Sequence, residues 1–214
     1  MTEIERFFGR RKGKKLKPHR AELIETLLPT LKPDLAELPK WREVWLEVGF
    51  GGGEHLAVQA ENHPDILMIG CEPFINGTGK LLGQIEEKKL NNIRILGDDA
   101  RPLLDALPTG SISRAFVLFA DPWPKNRHAD RRFIGTPNLD RLARVIRPGC
   151  QLRLASDHPV LQSWTLMQMA KRNDFKWMAE KAADFMQRPA DWPPTRYEMK
   201  ALHGIPIFLT YTRV

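Results

Sequence analysis

The stretch Val44-Trp-Leu-Glu-Val-Gly-Phe-Gly-Gly-Gly53, followed by Glu54-His-Leu-Ala-Val-Gln-Ala-Glu61, is the strongest indicator of architecture in the chain. It reads as a short apolar strand carrying Glu47, a turn with glycines at 49, 51 and 53, and then a helix. Glycine serves where the backbone takes positive φ and where a ligand must approach main chain without a Cβ. In open α/β sheets such a turn lies at the carboxyl ends of the strands, where ligands bind. The pattern is acidic-x-Gly-x-Gly-x-Gly, and it differs from the Gly-x-Gly-x-x-Gly that seats a pyrophosphate on a helix N-terminus. A carboxylate ahead of the glycines suits a cationic cofactor better than a phosphorylated one.

Outward from this turn, strand candidates at 44–49, 66–71, 93–96, 114–119, 150–155, 175–179 and 206–213 alternate with helical stretches near 54–62, 76–90, 101–107, 136–146 and 159–172. That alternation predicts an α/β domain from about residue 41 to 214, a mostly parallel seven-stranded sheet with helices on both faces. Acids recur within or just past successive strands, at Glu47, Glu72, Asp99, Asp121 and Asp157, and mark one sheet edge as the site.

Ahead of the domain, residues 1–40 divide in two. From Arg6 to Arg20 the chain reads RFFGRRKGKKLKPHR, with eight Lys or Arg and no acid. Its glycines, Pro18 and lack of apolar periodicity predict an extended arm, held open by self-repulsion until it meets phosphates. Residues 21–40 place Leu23, Ile24, Leu27, Leu28 and Leu31 at helix-like spacing, a short amphipathic piece that can dock on the domain. The 214 residues carry a formal charge of +7, which favours a polyanionic partner and puts nucleic acid first. Two cysteines without metal spacing predict neither disulfide nor zinc, and no apolar run reaches membrane-spanning length, so a cytoplasmic protein without membrane or metal is expected.

Individual side chains sharpen the site. Glu72 ends the second strand about twenty residues past the glycine turn, where an acid takes a ribose diol in two hydrogen bonds. Asp98-Asp99-Ala100 follows the third strand, a position from which nucleoside-binding folds reach an adenine amino group, and Asp98 can equally be a solvated neighbour or helix cap. The stretch Phe119-Ala-Asp-Pro-Trp-Pro-Lys-Asn-Arg-His-Ala-Asp-Arg-Arg132 fixes Asp121 between a strand end and two prolines, with Lys125, Arg127, His128, Arg131 and Arg132 crowding the same loop. A rigid carboxylate beside such cations suits a site handling a base together with its phosphates.

The glycine turn resembles the first motif of S-adenosylmethionine-dependent methyltransferases, whose ligand carries an ammonium and a sulfonium. The fuller set, Glu47-Val-Gly-Phe-Gly-Gly-Gly53, Asp99-Ala100, Asp121-Pro-Trp-Pro-Lys125, Arg127-His128, Arg131-Arg132, Ser156-Asp157 and Thr195-Arg-Tyr-Glu198, resembles the bacterial tRNA (guanine-N7-)-methyltransferases over nearly the whole chain. The resemblance implies a Rossmann-like class I methyltransferase fold. It also implies methyl transfer from S-adenosyl-L-methionine to N7 of the variable-loop guanine, nucleotide 46 in conventional tRNA numbering. Glu47, Gly49, Gly51, Gly53, Glu72, Asp99 and Asp121 would then contact the cofactor, with Asp121 also catalytic. Lys125, Arg127, His128, Arg131, Arg132, Asp157 and Thr195, Arg196, Tyr197 and Glu198 would meet tRNA. Ala120 departs from the proline that the family often has there. Guanine N7 has an in-ring lone pair and no proton, so it needs no general base, and positioning and electrostatics must carry the reaction. An acid facing the guanine N1–H and amino group would reject adenine, a role open to Asp121 or Asp157.

Other readings are weaker. Asn76-Gly-Thr-Gly-Lys80 lacks the preceding glycine and the following Ser/Thr of a phosphate-binding loop. Cys71 and Cys150 read as structural, and His55, His63, His158 and His203 as surface or packing residues. A base-amino methyltransferase would want Asn/Asp-Pro-Pro-aromatic after the fourth strand, where this chain has Asp121-Pro-Trp-Pro. A non-catalytic tRNA-binding subunit on the same fold would not need the acids at the strand ends. If the cofactor residues begin at Glu47, removing the arm is expected to leave cofactor binding unchanged.

Overall fold

In the computed structural model, residues 7–194, 198–199 and 204–214 are described. Seven strands, β1 (Glu43–Val48), β2 (Ile66–Cys71), β3 (Ile93–Leu96), β4 (Ile112–Leu118), β5 (Ile146–Ser156), β6 (Phe175–Trp177) and β7 (Ile207–Arg213), form one sheet in the order β3-β2-β1-β4-β5-β7-β6. All neighbours run parallel except β7, which is antiparallel to β5 and β6. The chain steps outward from β1 through β2 to β3, then returns to place β4 on the other side of β1. The carboxyl ends of β1 and β4 therefore meet at a topological switch point, the place where open α/β sheets bind ligands.

Strand alternation sorts the core into two layers. Val44, Leu46, Leu67, Ile69 and Ala115 pack under α4 (Ala100–Ala106), α5 (Thr136–Val145) and part of α6 (Pro159–Met169). Trp45, Met68, Phe116 and Ile93 pack under α1 (Pro18–Thr26), α2 (Glu54–Asn62) and α3 (Ile75–Lys88). Glu47 has the parity of Trp45, which turns its carboxylate toward α2 rather than along the sheet edge. A four-residue helix, α7 (Ala183–Met186), follows β6.

The N-terminal segment departs from the expected free arm. Pro18 starts α1, because its fixed φ suits the first helical position and its missing N–H has no intrahelical partner to lose. Leu23 and Leu31 bury against the Trp45 layer with Ile24, Leu27 and Leu28 beside them, so the predicted docking piece is present. Residues 11–14 are tied across the start of α3: Ile75 N–H donates to the Arg11 carbonyl (3.0 Å), Gly13 N–H to Asn76 Oδ1 (2.8 Å), and Asn76 Nδ2 to the Lys14 carbonyl (2.7 Å). Arg11 pairs with Asp98 at 2.7 Å. The self-repulsion of the basic run is offset by this backbone clasp and by that acid.

Candidate active site

At the switch point the backbone turns through Gly49, Gly51 and Gly53, with φ of 75°, 56° and 77°. Residues with a Cβ rarely adopt such values. Glu72 locks this turn, its Oε2 accepting from Gly51 N–H at 2.7 Å and its Oε1 from Phe74 N–H at 2.8 Å. The start of α3 presses on the same turn so closely that a Cβ on Gly77 would lie 2.0 Å from the Gly51 carbonyl oxygen. The Asn76-Gly-Thr-Gly-Lys80 run thus supplies a packing glycine.

A cavity of about 970 Å³ opens here. Gly49, Gly51 and Glu72 form one wall, Asp99 to Arg101 another, and Phe119 to Asp121 a third. Asp121 lines the cavity and is solvent-exposed in it. Desolvation raises its pKa above the ordinary carboxylate value, and the Arg10 charge opposes the rise. Glu72 is also raised, first by burial and further by Asp121 and Glu47, while its two backbone bonds pull the other way. Three carboxylates thus share one field, and a cationic ligand would relieve their repulsion. Burial pushes the Cys71 thiol up, with Asp99 and Glu72 adding to the effect, so this cysteine in the cavity wall is held as an inert thiol.

The loop carrying Asp121 is held in an unfavourable backbone conformation. Phe119 and Trp123 have φ of 52° and 41°, uncommon for side chains of this size, at a cost of roughly 1–3 kcal/mol each. The bracing is visible. Phe119 N–H donates to the Ala155 carbonyl (2.8 Å), and Arg132 donates from Nε to the Pro122 carbonyl (3.1 Å) and from Nη2 to the Trp123 carbonyl (3.0 Å). Arg132 is buried and lies 4.6 Å from the centre of the Trp164 ring. Its guanidinium therefore shapes the loop instead of meeting phosphates from the surface.

A family model described as "Putative methyltransferase" matches residues 42–205. The chain is 50% identical to the tRNA (guanine-N(7)-)-methyltransferase of Paramagnetospirillum magneticum, covering 99% of this chain and 94% of that one. It is 46% identical to the protein of that name from Rhodospirillum rubrum, over 99% and 89% of the two chains. The chain belongs to the tRNA (guanine-N(7)-)-methyltransferase family. In fold it is similar to the 16S rRNA (adenine(1408)-N(1))-methyltransferase of Catenulisporales acidiphilia solved with its cosubstrate SAM, with a TM-score of 0.54, 17% identity, and coverage of 86% and 92%. The architecture is the Rossmann-like class I methyltransferase fold.

Within this family member the expected site residues are not all brought together. Gly49, Gly51, Glu72, Asp99, Asp121, Arg131 and Arg132 line the cavity. Asp99 also caps α4 through Arg101 N–H (3.1 Å) and pairs with the Arg101 guanidinium, with Nε at 2.7 Å. Lys125, Arg127 and His128 lie outside the cavity on or beside the 3₁₀ turn Asn126–Arg131. Partial desolvation and the Arg131, Arg127 and Lys125 charges lower the His128 pKa, keeping the imidazole mostly neutral at pH 7. Glu47, Gly53 and Asp157 are not in the cavity wall: Glu47 pairs with His55, Gly53 caps α2, and Asp157 is buried ahead of α6. Thr195, Arg196 and Tyr197 lie outside the described residues, while Glu198 is 3.3 Å from Arg188.

The structure adds residues that sequence patterns do not single out. Phe7, Phe8, Gly9 and Arg10 of the arm line the cavity, so the residues that face it begin well before Glu47. Arg131 lies over Phe8 (4.4 Å to the ring centre) and Trp123 (5.0 Å), joining the arm to the Asp121 loop. Only the two phenylalanines beside the basic run set it apart in sequence from a solvated tail. Thr136, Asn138, Trp164 and Gln168 also face the cavity, and nothing in their helical periodicity distinguishes them from packing residues. Trp192 is buried in the core against Phe208 (5.4 Å between rings).

Proposed function

We propose that the protein transfers a methyl group from S-adenosyl-L-methionine to N7 of a tRNA guanine, the variable-loop guanine at position 46. The observation that carries the reading is the braced, strained placement of Asp121 on a cavity shared with Glu72 and the glycine turn. When bound, S-adenosyl-L-methionine would supply an electrophilic methyl on a cationic sulfur. Glu72 has acceptor capacity left at both oxygens after bonding Gly51 and Phe74, which suits a ribose diol. Asp99 and the Ala100 backbone sit where an adenine edge would be read.

Guanine N7 attacks without losing a proton, so the chain need only orient the base, exclude water and stabilise the charge developing on the ring. Asp121 serves the last purpose: its carboxylate is carried on a braced loop at the cavity wall, where a fixed negative charge can stabilise the developing positive charge. Because Asp121 faces the cavity and Asp157 does not, Asp121 is favoured as the acid that reads the guanine edge. Arg131 with Phe8 and Trp123 would close the site against water. Lys125 and Arg127 on the rim, with the exposed Lys12, Lys14, Lys15 and Lys17 of the arm, would follow phosphates without reading sequence.

Among the described residues, no helix is long and apolar enough to cross a membrane. Cytoplasmic tRNA is the substrate consistent with this reading. The test is a tRNA transcript with 7-deazaguanosine at position 46, which keeps the base's pairing edge and deletes its N7. Methyl acceptance should vanish, while binding should persist. Unchanged acceptance would place the target elsewhere.

A further inference from the structure

Behind the glycine turn lies a buried polar chain that the chemistry above does not use. His55 Nδ1 is 2.7 Å from Glu47 Oε2, and both residues are 2% exposed. One helical turn on, Gln59 places its amide nitrogen 3.3 Å from His55 Nε2 and 2.7 Å from the Asp191 carbonyl oxygen. The amide must donate to the carbonyl, and its second hydrogen then points to His55. Nε2 therefore accepts, and the imidazole proton sits on Nδ1 and goes to Glu47.

The far end of this chain is anchored just as firmly. Asp191 Oδ2 is 2.7 Å from Arg153 and 3.5 Å from Arg114. Its neighbour Trp192 is buried against His55 (6.2 Å between rings) and Phe208, and its indole N–H has no acceptor among the described residues. Arg188 then grips both sides of the segment, donating to the Trp192 carbonyl at 3.2 Å and lying 3.3 Å from Glu198. Taken in series, these contacts connect the helix leaving the glycine turn to Glu198.

We infer that Gln59 and His55 are positioning residues for the substrate: they fix the Asp191–Trp192 anchor to the helix leaving the glycine turn and, through Arg188, set where Glu198 meets tRNA. This rests on the reading of Glu198 as a tRNA contact. Neither side chain touches cofactor or base. Loss of the Gln59 donor should loosen the anchor and weaken productive tRNA binding while leaving the cofactor site intact.

The experiment compares Gln59→Leu and Gln59→Glu with the parent full-length protein. It reads KM for a tRNA transcript, kcat at saturating tRNA, and S-adenosylmethionine affinity by calorimetry without tRNA. The glutamate is nearly isosteric but sets an acceptor against the Asp191 carbonyl, so it should be no milder than leucine. Both variants should raise tRNA KM by about fivefold or more, the scale of coupling between contacting groups, with kcat and cofactor affinity within about twofold. Asp191→Asn, at a more exposed position, should shift tRNA KM in the same direction. It decides the question if the Gln59 variants bind no cofactor and so have not folded. A lower melting temperature with unchanged KM and kcat would reduce the chain to core packing and overturn the inference. So would weaker cofactor binding with unchanged tRNA KM. If the parent itself fails to methylate tRNA, the enzyme reading is what falls.

Discussion

Glu72→Gln tests the junction between fold and site. Both Glu72 oxygens accept backbone N–H groups, at 2.7 Å from Gly51 and 2.8 Å from Phe74, and glutamine can offer only one oxygen. Its amide must face one of those N–H groups, leaving a poorly hydrated donor unpaired at a cost of about 1–3 kcal/mol. A second effect opposes this one. Burial raises the Glu72 pKa, so the ionised carboxylate carries a desolvation cost at neutral pH that a neutral amide does not. The net loss should fall at the low end, about 1 kcal/mol, or roughly 2–4 °C in melting temperature for a chain of this size. The sign with pH follows by linkage. A carboxyl raised in the folded state contributes stability below its unfolded pKa and loses it as pH rises through the folded value. The gap between parent and variant should therefore narrow from about pH 4 toward neutrality. Cofactor affinity should drop by about tenfold or more, because the amide cannot give the ribose hydroxyls a charge-assisted hydrogen bond. Thermal scans across pH and calorimetry with S-adenosylmethionine measure both. Equal melting temperatures together with equal cofactor affinity would refute the assignment of Glu72 as brace and ribose acceptor.

Asp121→Asn should slow methyl transfer by roughly a hundredfold or more while tRNA affinity holds. Because the site disfavours the Asp121 charge, the variant should be at least as stable as the parent at neutral pH, and a clear destabilisation would contradict that. Arg132→Lys cannot span the Pro122 and Trp123 carbonyls with one ammonium, so the strained loop should relax. A fall in kcat of about tenfold or more with tRNA binding retained is expected, and a parental kcat would separate the strain from function. Deleting residues 1–17 should weaken S-adenosylmethionine binding, since Phe7 to Arg10 line its cavity. The same deletion should flatten the salt dependence of tRNA binding, by roughly 0.7–0.9 log–log units for every phosphate that the arm neutralises. Unchanged cofactor affinity would place the arm outside the site, and parallel salt slopes would place it off the phosphates.

Much of the architecture is legible because its signals are local. The helix 54–62 and the strands 66–71 and 93–96 occur where periodicity predicts them, and Glu72 ends its strand as expected. The glycine turn stands out by a pattern only a tight, ligand-facing backbone requires. What escapes a reading of the sequence is set by tertiary contact. The arm has the composition of a solvated chain, and tertiary contacts hold it down: the clasp across Ile75 and Asn76, the Arg11–Asp98 pair and the Phe8–Arg131–Trp123 cluster. Arg132 reads as one more phosphate-binding cation because charge alone does not reveal that its guanidinium points inward to carbonyls. Glu47 reads as a ligand contact, whereas its strand parity sends it to His55, a partner one helix away that no spacing rule identifies.

Everything proposed for the site turns on which atom is methylated. Bulk tRNA without the modification can be incubated with the protein and tritium-labelled S-adenosylmethionine, then digested to nucleosides. The label should elute as 7-methylguanosine, and Asp121→Asn should reduce its amount without creating another labelled nucleoside. Label on a different nucleoside, or tRNA that binds and stays unlabelled, would contradict the assignment of guanine N7 as the methyl acceptor.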